Sequence, residues 1–281
     1  MKKQWLIFFI SVSVALQPKE SLSQNANVQS PAQAGRATMV LLDRYFNSEK
    51  RRDDTGAMQY WHYTWEERSD PGFYALGDIF RQHGATLASL DHAPKITDLE
   101  KAGLYIIVDP DHIRDNPQPN YISTQDASVI IGWVKEGGVL VLMANDSANC
   151  DLQHLNQLSQ QFGIRFTNKS VNLVKNDAFE TGSVMPLDTS IFKEPYKMFM
   201  KDVSALSIQP PAKPIATKDG DVLVATSRIG KGIVFAVGDP WLYNEYVVGQ
   251  RLPAEYPNSK AAADLVKWLL QQANAKLIPK D

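Results

Sequence analysis

Cysteine is almost absent: Cys150 is the single one in 281 residues. One thiol excludes an intrachain disulfide framework and cysteine-cluster metal sites, and Cys150 itself reads as a small apolar filler at a helix start. A basic field is missing as well. The chain sets 29 Lys and Arg against 31 Asp and Glu, a formal charge of −2, so it offers a nucleic-acid backbone no positive face, and nucleic acid is not an expected partner. No stretch reaches the roughly 18 unbroken apolar residues of a membrane span. There is no Gly-x-Ser-x-Gly elbow, no phosphate loop or dinucleotide fingerprint, no calcium-loop spacing and no internal repeat. Neither a cofactor nor a bound metal is expected, and nothing in the chain sets an oligomeric state.

What is present is an apolar fraction of 44%, enough for a substantial core. Met1-Lys2-Lys3 followed by the apolar run Trp5 to Leu16 and by small residues at Ser21 and Ser23 has the shape of a secretory signal over 1–23. A polar leader over 24–37 should then be disordered, and the remainder, 38–275, should form one exported domain, most simply periplasmic.

That domain is organised around Gly137-Gly138 and the apolar run Val139 to Met143, a strand buried on both faces, followed by the polar loop Asn145-Asp146-Ser147-Ala148-Asn149. Helices are expected before it, from Thr124 to Glu136, and after it, from Leu152 to Phe162. Thr38 to Leu42, Thr86 to Leu90 and Leu104 to Val108 read as further strands, and Phe73, Leu76, Ile79 and Phe80 mark a helix closed by Gly84. Val222 to Ser227 and Ile233 to Val237 around Gly230-Lys231-Gly232 read as a hairpin, and Ser259 to Gln272 as a final amphipathic helix. Residues 48–71 read as a long functional loop, and 167–220 as an irregular, β-rich insertion. The expected class is α/β, a doubly wound and mostly parallel sheet with a C-terminal β-hairpin.

In such sheets ligands sit beyond the carboxyl ends of the strands. Four strands end in acidic or amide residues: Leu42 in Asp43, Val108 in Asp109 and Asp111, Met143 in Asn145 and Asp146, Val237 in Asp239. Turns and caps recruit these residue types anyway. Four such ends beside Trp61, His62, Trp65 and Trp241 nevertheless suggest one pocket, and carboxylates, amides and indole faces together suit a sugar. His62 is the expected general acid or base, since histidine changes charge near neutral pH. Asp109, Asp239 or Glu245 is its expected partner, with Glu66 a further candidate. Asp111, Asn145, Asp146, Asn149 and Asn244 are expected to hold hydroxyls, Trp61, Trp65 and Trp241 to form the platform, and Arg44 to meet an acidic group, with Arg251 a second candidate. His154 and Asn156 read as packing residues.

The strand-loop pattern resembles the class I glutamine amidotransferase-like, or flavodoxin-like, fold. Met143-Ala144-Asn145-Asp146 occupies the kind of position where an amidotransferase would carry its cysteine, so glutamine hydrolysis is not implied. A closer resemblance is to domains of this type fused to, or encoded beside, family 105 unsaturated glucuronyl and rhamnogalacturonyl hydrolases of bacterial polysaccharide degradation. It is carried by Leu42-Asp43-x-Tyr45-Phe46-Asn47, Trp61-His62-Tyr63-x-Trp65, Ile107-Val108-Asp109-Pro110-Asp111, Trp133-Val134-Lys135-x-Gly137-Gly138 and Gly238-Asp239-Pro240-Trp241-Leu242-Tyr243-Asn244-Glu245-Tyr246. The hydrolase's own barrel is absent, so its activity does not carry over. The resemblance implies a substrate class, acidic oligosaccharides that a lyase has left with a 4,5-unsaturated uronic acid. Such a ring is primed to lose water, and a dehydratase is the expected activity. The alternatives are a non-catalytic carbohydrate-binding module and a glycosidase using Asp109 and Asp239 as facing carboxylates.

Overall fold

A computed structural model describes residues 37–275 apart from 188. The expected signal over 1–23 and nearly all of the leader lie outside the described residues. From Ala37 the chain packs as one unit.

The central sheet is built from β1 (Met39–Asp43), β2 (Thr86–Leu90), β3 (Leu104–Val108), β4 (Val139–Met143), β5 (Ile164–Val171), β6 (Val203–Ile208), β7 (Lys213–Lys218), β8 (Asp221–Ile229) and β9 (Gly232–Val237). Its spatial order is β2-β1-β3-β4-β9-β8-β6-β5, with β7 paired to β8. The first five strands of that order run parallel, and β8, β6, β5 and β7 join antiparallel. The parallel half carries the 2-1-3-4-5 order of a flavodoxin-like sheet, with its switch point between β1 and β3.

Strand side chains alternate between two cores, as a period of two requires. Val40, Leu42, Ile106, Val108, Val141, Met143, Phe235 and Val237 face one core, and Leu41, Tyr105, Ile107, Leu140, Leu142, Val234 and Ala236 face the other. Helices α1 (Tyr74–Gln82) and α4 (Asn258–Ala275) cover the first through Leu76, Phe80, Leu265, Val266 and Leu269. Helices α2 (Thr124–Lys135) and α3 (Leu152–Ser159) cover the second through Ile130, Trp133, Val134, Leu155 and Leu158. The sheet is therefore wrapped on both faces, and its parallel strands are the continuous apolar runs that double burial demands. Helix α2 opens on a reciprocal cap, Ser123 Oγ taking the Asp126 N–H while Asp126 Oδ2 takes the Ser123 N–H.

The structure adds detail to two expected stretches. Within 167–220, the expected β-rich insertion, β5, which starts at Ile164, β6 and β7 extend the central sheet, and Ser183–Val184 pairs with Met198–Phe199. Asn156 ties α3 to β5 through both its amide groups, bonded to the Phe166 N–H and C=O at 2.9 Å, a packing role as expected. The loop 48–71 holds a short antiparallel hairpin, Lys50–Arg52 with Met58–Tyr60.

Candidate functional site

The parallel strands deliver their exits side by side. The Asp109 N–H bonds Met143 C=O at 2.8 Å, and the Ala144 N–H bonds Val237 C=O at 3.2 Å. These clasps hold the loops after β3, β4 and β9 together and bring Asp109, Asn145 and Asp239 to one rim. A cleft of about 350 Å³ opens there, lined by Asp70, Pro71, Asn145, Asn149, Lys201, Asp202, Asp239, Tyr243, Glu245 and Tyr246. A second chamber of about 500 Å³ adjoins it, sharing Lys201, Glu245 and Tyr246 and adding Arg251, Phe179 and Leu252.

Asp109 lies beneath the cleft, 6% exposed. Its Oδ1 accepts the Asn145 N–H at 2.9 Å, and its Oδ2 accepts the Tyr63 hydroxyl at 2.8 Å. The Cys150 thiol also bonds it. Burial pushes this carboxyl up to about 6 against the pull of those hydrogen bonds. Asp239, 2% exposed, accepts the Lys201 N–H at 3.2 Å. Burial pushes it well above the ordinary carboxylate range, and the charges of Asp109, Asp202 and Glu245 push the same way. Both carboxyls at this rim are raised by burial, Asp109 to about 6 and Asp239 well above the ordinary carboxylate range, which marks the rim as a place where a proton can be held or passed.

The other charges of the cleft pair off. Arg251 forms ion pairs with Asp70 and with Glu245, the latter at 3.5 Å, and Lys201 lies 3.7 Å from Asp202. With these pairs formed and burial biasing Asp239 toward its acid form, the cleft carries little net charge and can admit an anionic sugar. The Tyr243 and Tyr246 rings supply its flat faces.

Several expected site residues lie elsewhere. Trp241 is fully buried and packs against Phe192, and Trp65, 3% exposed, packs against Phe73 and Phe80 while its indole N–H bonds Ala88 C=O. Neither reaches the cleft, because the large apolar area of an indole is claimed by the core first. Trp61 stacks on His62, centroids 3.5 Å apart, with the Arg51 guanidinium over it. His62 pairs with Glu49, Nδ1 3.2 Å from Oε2, and does not hydrogen-bond Asp109 or Asp239. The expected catalytic pairing is therefore absent.

Asn244 is buried and works on the backbone: its Oδ1 takes the Ala75 N–H of α1 at 2.7 Å and its amide bonds Glu67 and Ser69 C=O. Asp111, 2% exposed, is held by Ser48 and Asn116. Asp146 caps its own turn through the Ala148 N–H and takes the Ser170 hydroxyl. Asp43 is buried behind its strand, accepting the Tyr105 hydroxyl and the Phe46 and Asn47 N–H groups, and burial pushes it up to about 7.

Arg44 lines a separate cavity of about 390 Å³ with Tyr45, Ser48, Lys50, Tyr60 and Asn116. Its guanidinium is already paired with Asp91 at 2.6 and 2.8 Å, so it brings no free charge to a sugar, and the perturbed carboxyls lie at the other cleft. Sequence reasoning missed Tyr63, Tyr243, Tyr246 and Lys201. Tyr63 and Tyr243 each sit two residues from a tryptophan, and an indole is the stronger sequence signal for a sugar platform.

No protein-family model and no curated protein matches this chain. Among solved structures it is similar to the mmIFT52 N-terminal domain, with a TM-score of 0.62 and 16% identity over 83% of this chain and 97% of that one. It is also similar to the Cytoplasmic Protein STM1381 from Salmonella typhimurium LT2, at 0.51 and 12% identity over 79% and 98%. A third likeness is to a β-galactosidase from Rahnella sp. R3, at 0.50 and 15% identity over 84% of this chain but 31% of that one. At such identities the likeness speaks for the fold alone. The class that fold and strand order define is a mixed α/β protein with a flavodoxin-like sheet.

Proposed function

We propose that this chain is a carbohydrate dehydratase that removes one water from the 4,5-unsaturated uronic acid at the non-reducing end of lyase-generated oligosaccharides. The observation that carries the reading is Asp239: a buried carboxyl on the wall of a sugar-sized cleft, biased toward its acid form beside hydroxyl and amide groups. In the unsaturated ring a proton on the carbon next to the double bond is vinylogous to the carboxylate. Removing it sends the electron pair through the double bond onto the carboxylate, and the pair then returns to expel the neighbouring hydroxyl. Asp239 protonates that hydroxyl as it leaves, so that water departs and a conjugated diene acid remains. Lys201, on the cleft wall with its ammonium 3.7 Å from Asp202 and so beyond hydrogen-bond reach of it, can turn its donors to the charge that develops on the carboxylate. Asn145 and Asn149 hold ring hydroxyls, and Tyr243 and Tyr246 take the tryptophans' expected place as platform.

The substrate class comes from the resemblance to domains encoded beside family 105 hydrolases, and export through 1–23 belongs to the same reading. The test is to incubate the purified chain with oligosaccharides made by a polysaccharide lyase and follow product mass and ultraviolet absorbance. Dehydration lowers the mass by one water and moves the absorbance to longer wavelength; no change with any such oligosaccharide would overturn it. A second reading, glycoside hydrolysis, is favoured by one observation, that Asp239 and Glu245 face the same cleft. The same assay separates the two, because hydrolysis splits the chain and adds a water.

A further inference from the structure

A dehydratase needs a proton acceptor as well as an acid, and His62 lies apart from the cleft acids. We propose that Tyr243, Tyr63 and Asp109 form a proton relay in which Tyr243 takes the ring proton in the cleft and the charge ends on Asp109; this rests on the dehydratase reading.

The relay is continuous. Tyr243 lines the cleft, its hydroxyl stands 3.0 Å from the Tyr63 hydroxyl, and Tyr63 donates to Asp109 Oδ2 at 2.8 Å. The two phenol rings stack, centroids 5.5 Å apart and planes within 22°. Its direction follows from donor arithmetic. An ionised Asp109 can only accept, so Tyr63 spends its one proton on it, and the Tyr63 oxygen must then accept from Tyr243. The Tyr243 oxygen, on the cleft wall, keeps its acceptor capacity and shares it with the Asn145 amide. The Asn145 amide bonds both the Tyr243 hydroxyl and Asp109, spanning the two ends.

Backbone strain gathers on the same network. Asp109, Tyr63 and its neighbour His62 adopt left-handed conformations, with φ of 45°, 52° and 60°. Non-glycine residues are held there only when the surroundings over-determine them, and such strain clusters at functional sites. Here the Tyr63 N–H bond to Pro71 C=O at 3.0 Å and the packing of its ring between Tyr243 and Phe73 hold the turn.

The step balances within the chain's own groups. The ring C–H bond breaks and its proton joins the Tyr243 oxygen as the Tyr243 proton passes to Tyr63 and the Tyr63 proton to Asp109; the C–H electron pair goes into the conjugated carboxylate. After the hydroxyl leaves with the Asp239 proton, Asp109 holds a proton and Asp239 has lost one, and exchange with solvent restores both. Tyr243 is the catalytic residue, and Tyr63 and Asp109 act through it.

The test starts from the ligand-free wild-type protein, labelled with ¹³C at tyrosine Cζ and aspartate Cγ and titrated by NMR. The relay requires the Tyr63 and Tyr243 Cζ resonances to move with the Asp109 carboxyl in one step, and Tyr243 to stop following Asp109 in Tyr63→Phe. A Tyr243 signal indifferent to Asp109 in the wild type would overturn the relay. With unsaturated oligosaccharides, Tyr63→Phe and Tyr243→Phe should each lower kcat by about 10²–10⁴-fold with KM changed far less, and Tyr63→Phe should also move the acid limb of the pH profile. Wild-type kcat in Tyr63→Phe would likewise overturn it. If NMR shows the linked titration but no oligosaccharide is dehydrated, the hydrogen-bonded relay stands and the dehydratase reading falls.

Discussion

Trp241 separates a sugar platform from a core residue, and the two roles predict opposite outcomes. Its side chain has no exposed surface and packs against Phe192 within the core that α1 and α4 cover. Truncating a buried tryptophan to alanine removes its apolar contacts and leaves a cavity, together about 3–5 kcal/mol. In a domain of this size 1 kcal/mol moves the thermal midpoint by about 2–4 °C, so Trp241→Ala should melt about 6–20 °C below the wild type. Trp241→Phe is the sharper probe. Among the described residues the buried indole N–H finds no hydrogen-bond partner, and deleting it relieves about 1–3 kcal/mol, which offsets most of the packing lost with the smaller ring. Trp241→Phe should therefore melt near the wild-type temperature, within about 1 kcal/mol in stability. Calorimetric melting, paired with titration of an unsaturated oligosaccharide, reads both roles. A Trp241→Ala protein that melts like the wild type but no longer binds sugar would refute the core assignment.

Three further outcomes follow from the same geometry. Asp43, pushed up to about 7 by burial, keeps its proton in the folded state between about pH 4 and 7 while the unfolded chain releases it, so stability falls as pH rises through that window. Between pH 5 and 7 this amounts to about 2 kcal/mol, and urea unfolding of Asp43→Asn should show a flatter pH dependence than the wild type; parallel slopes would contradict the assignment. Asn244→Ala strips α1 of its Ala75 N–H acceptor and two backbone carbonyls of their donor, a loss of about 1–3 kcal/mol that a denaturation midpoint measures. His62→Ala should keep dehydration within a few-fold of wild type, since His62 bonds Glu49 and not the cleft acids; a hundredfold loss would return it to the active site.

What the sequence discloses depends on how loudly burial speaks in it. Leu104 to Val108 and Val139 to Met143 are legible because a parallel strand between two helical layers must be apolar throughout, and both are fully buried. The hairpin of Lys50–Arg52 and Met58–Tyr60 is illegible because its strands have three residues each and almost no buried face. Strands β5 to β7 hide for a related reason: they mix exposed and buried positions irregularly, and Pro214 in β7 reads as a strand breaker although an edge strand tolerates it. At the site, Asp109, Asn145 and Asp239 are readable because strand exits in a parallel sheet share one edge. The tyrosine relay is not, since it joins residues 63, 109 and 243 across loops whose path no local pattern encodes.

The proposed dehydration depends most directly on Asp239 as the acid of the cleft. The decisive measurement compares wild type with Asp239→Asn on one lyase-generated oligosaccharide, taking affinity by calorimetry and water loss by mass spectrometry. The variant should bind within a few-fold of wild type while dehydration falls at least about a hundredfold; undiminished loss of water from the variant would contradict the assignment.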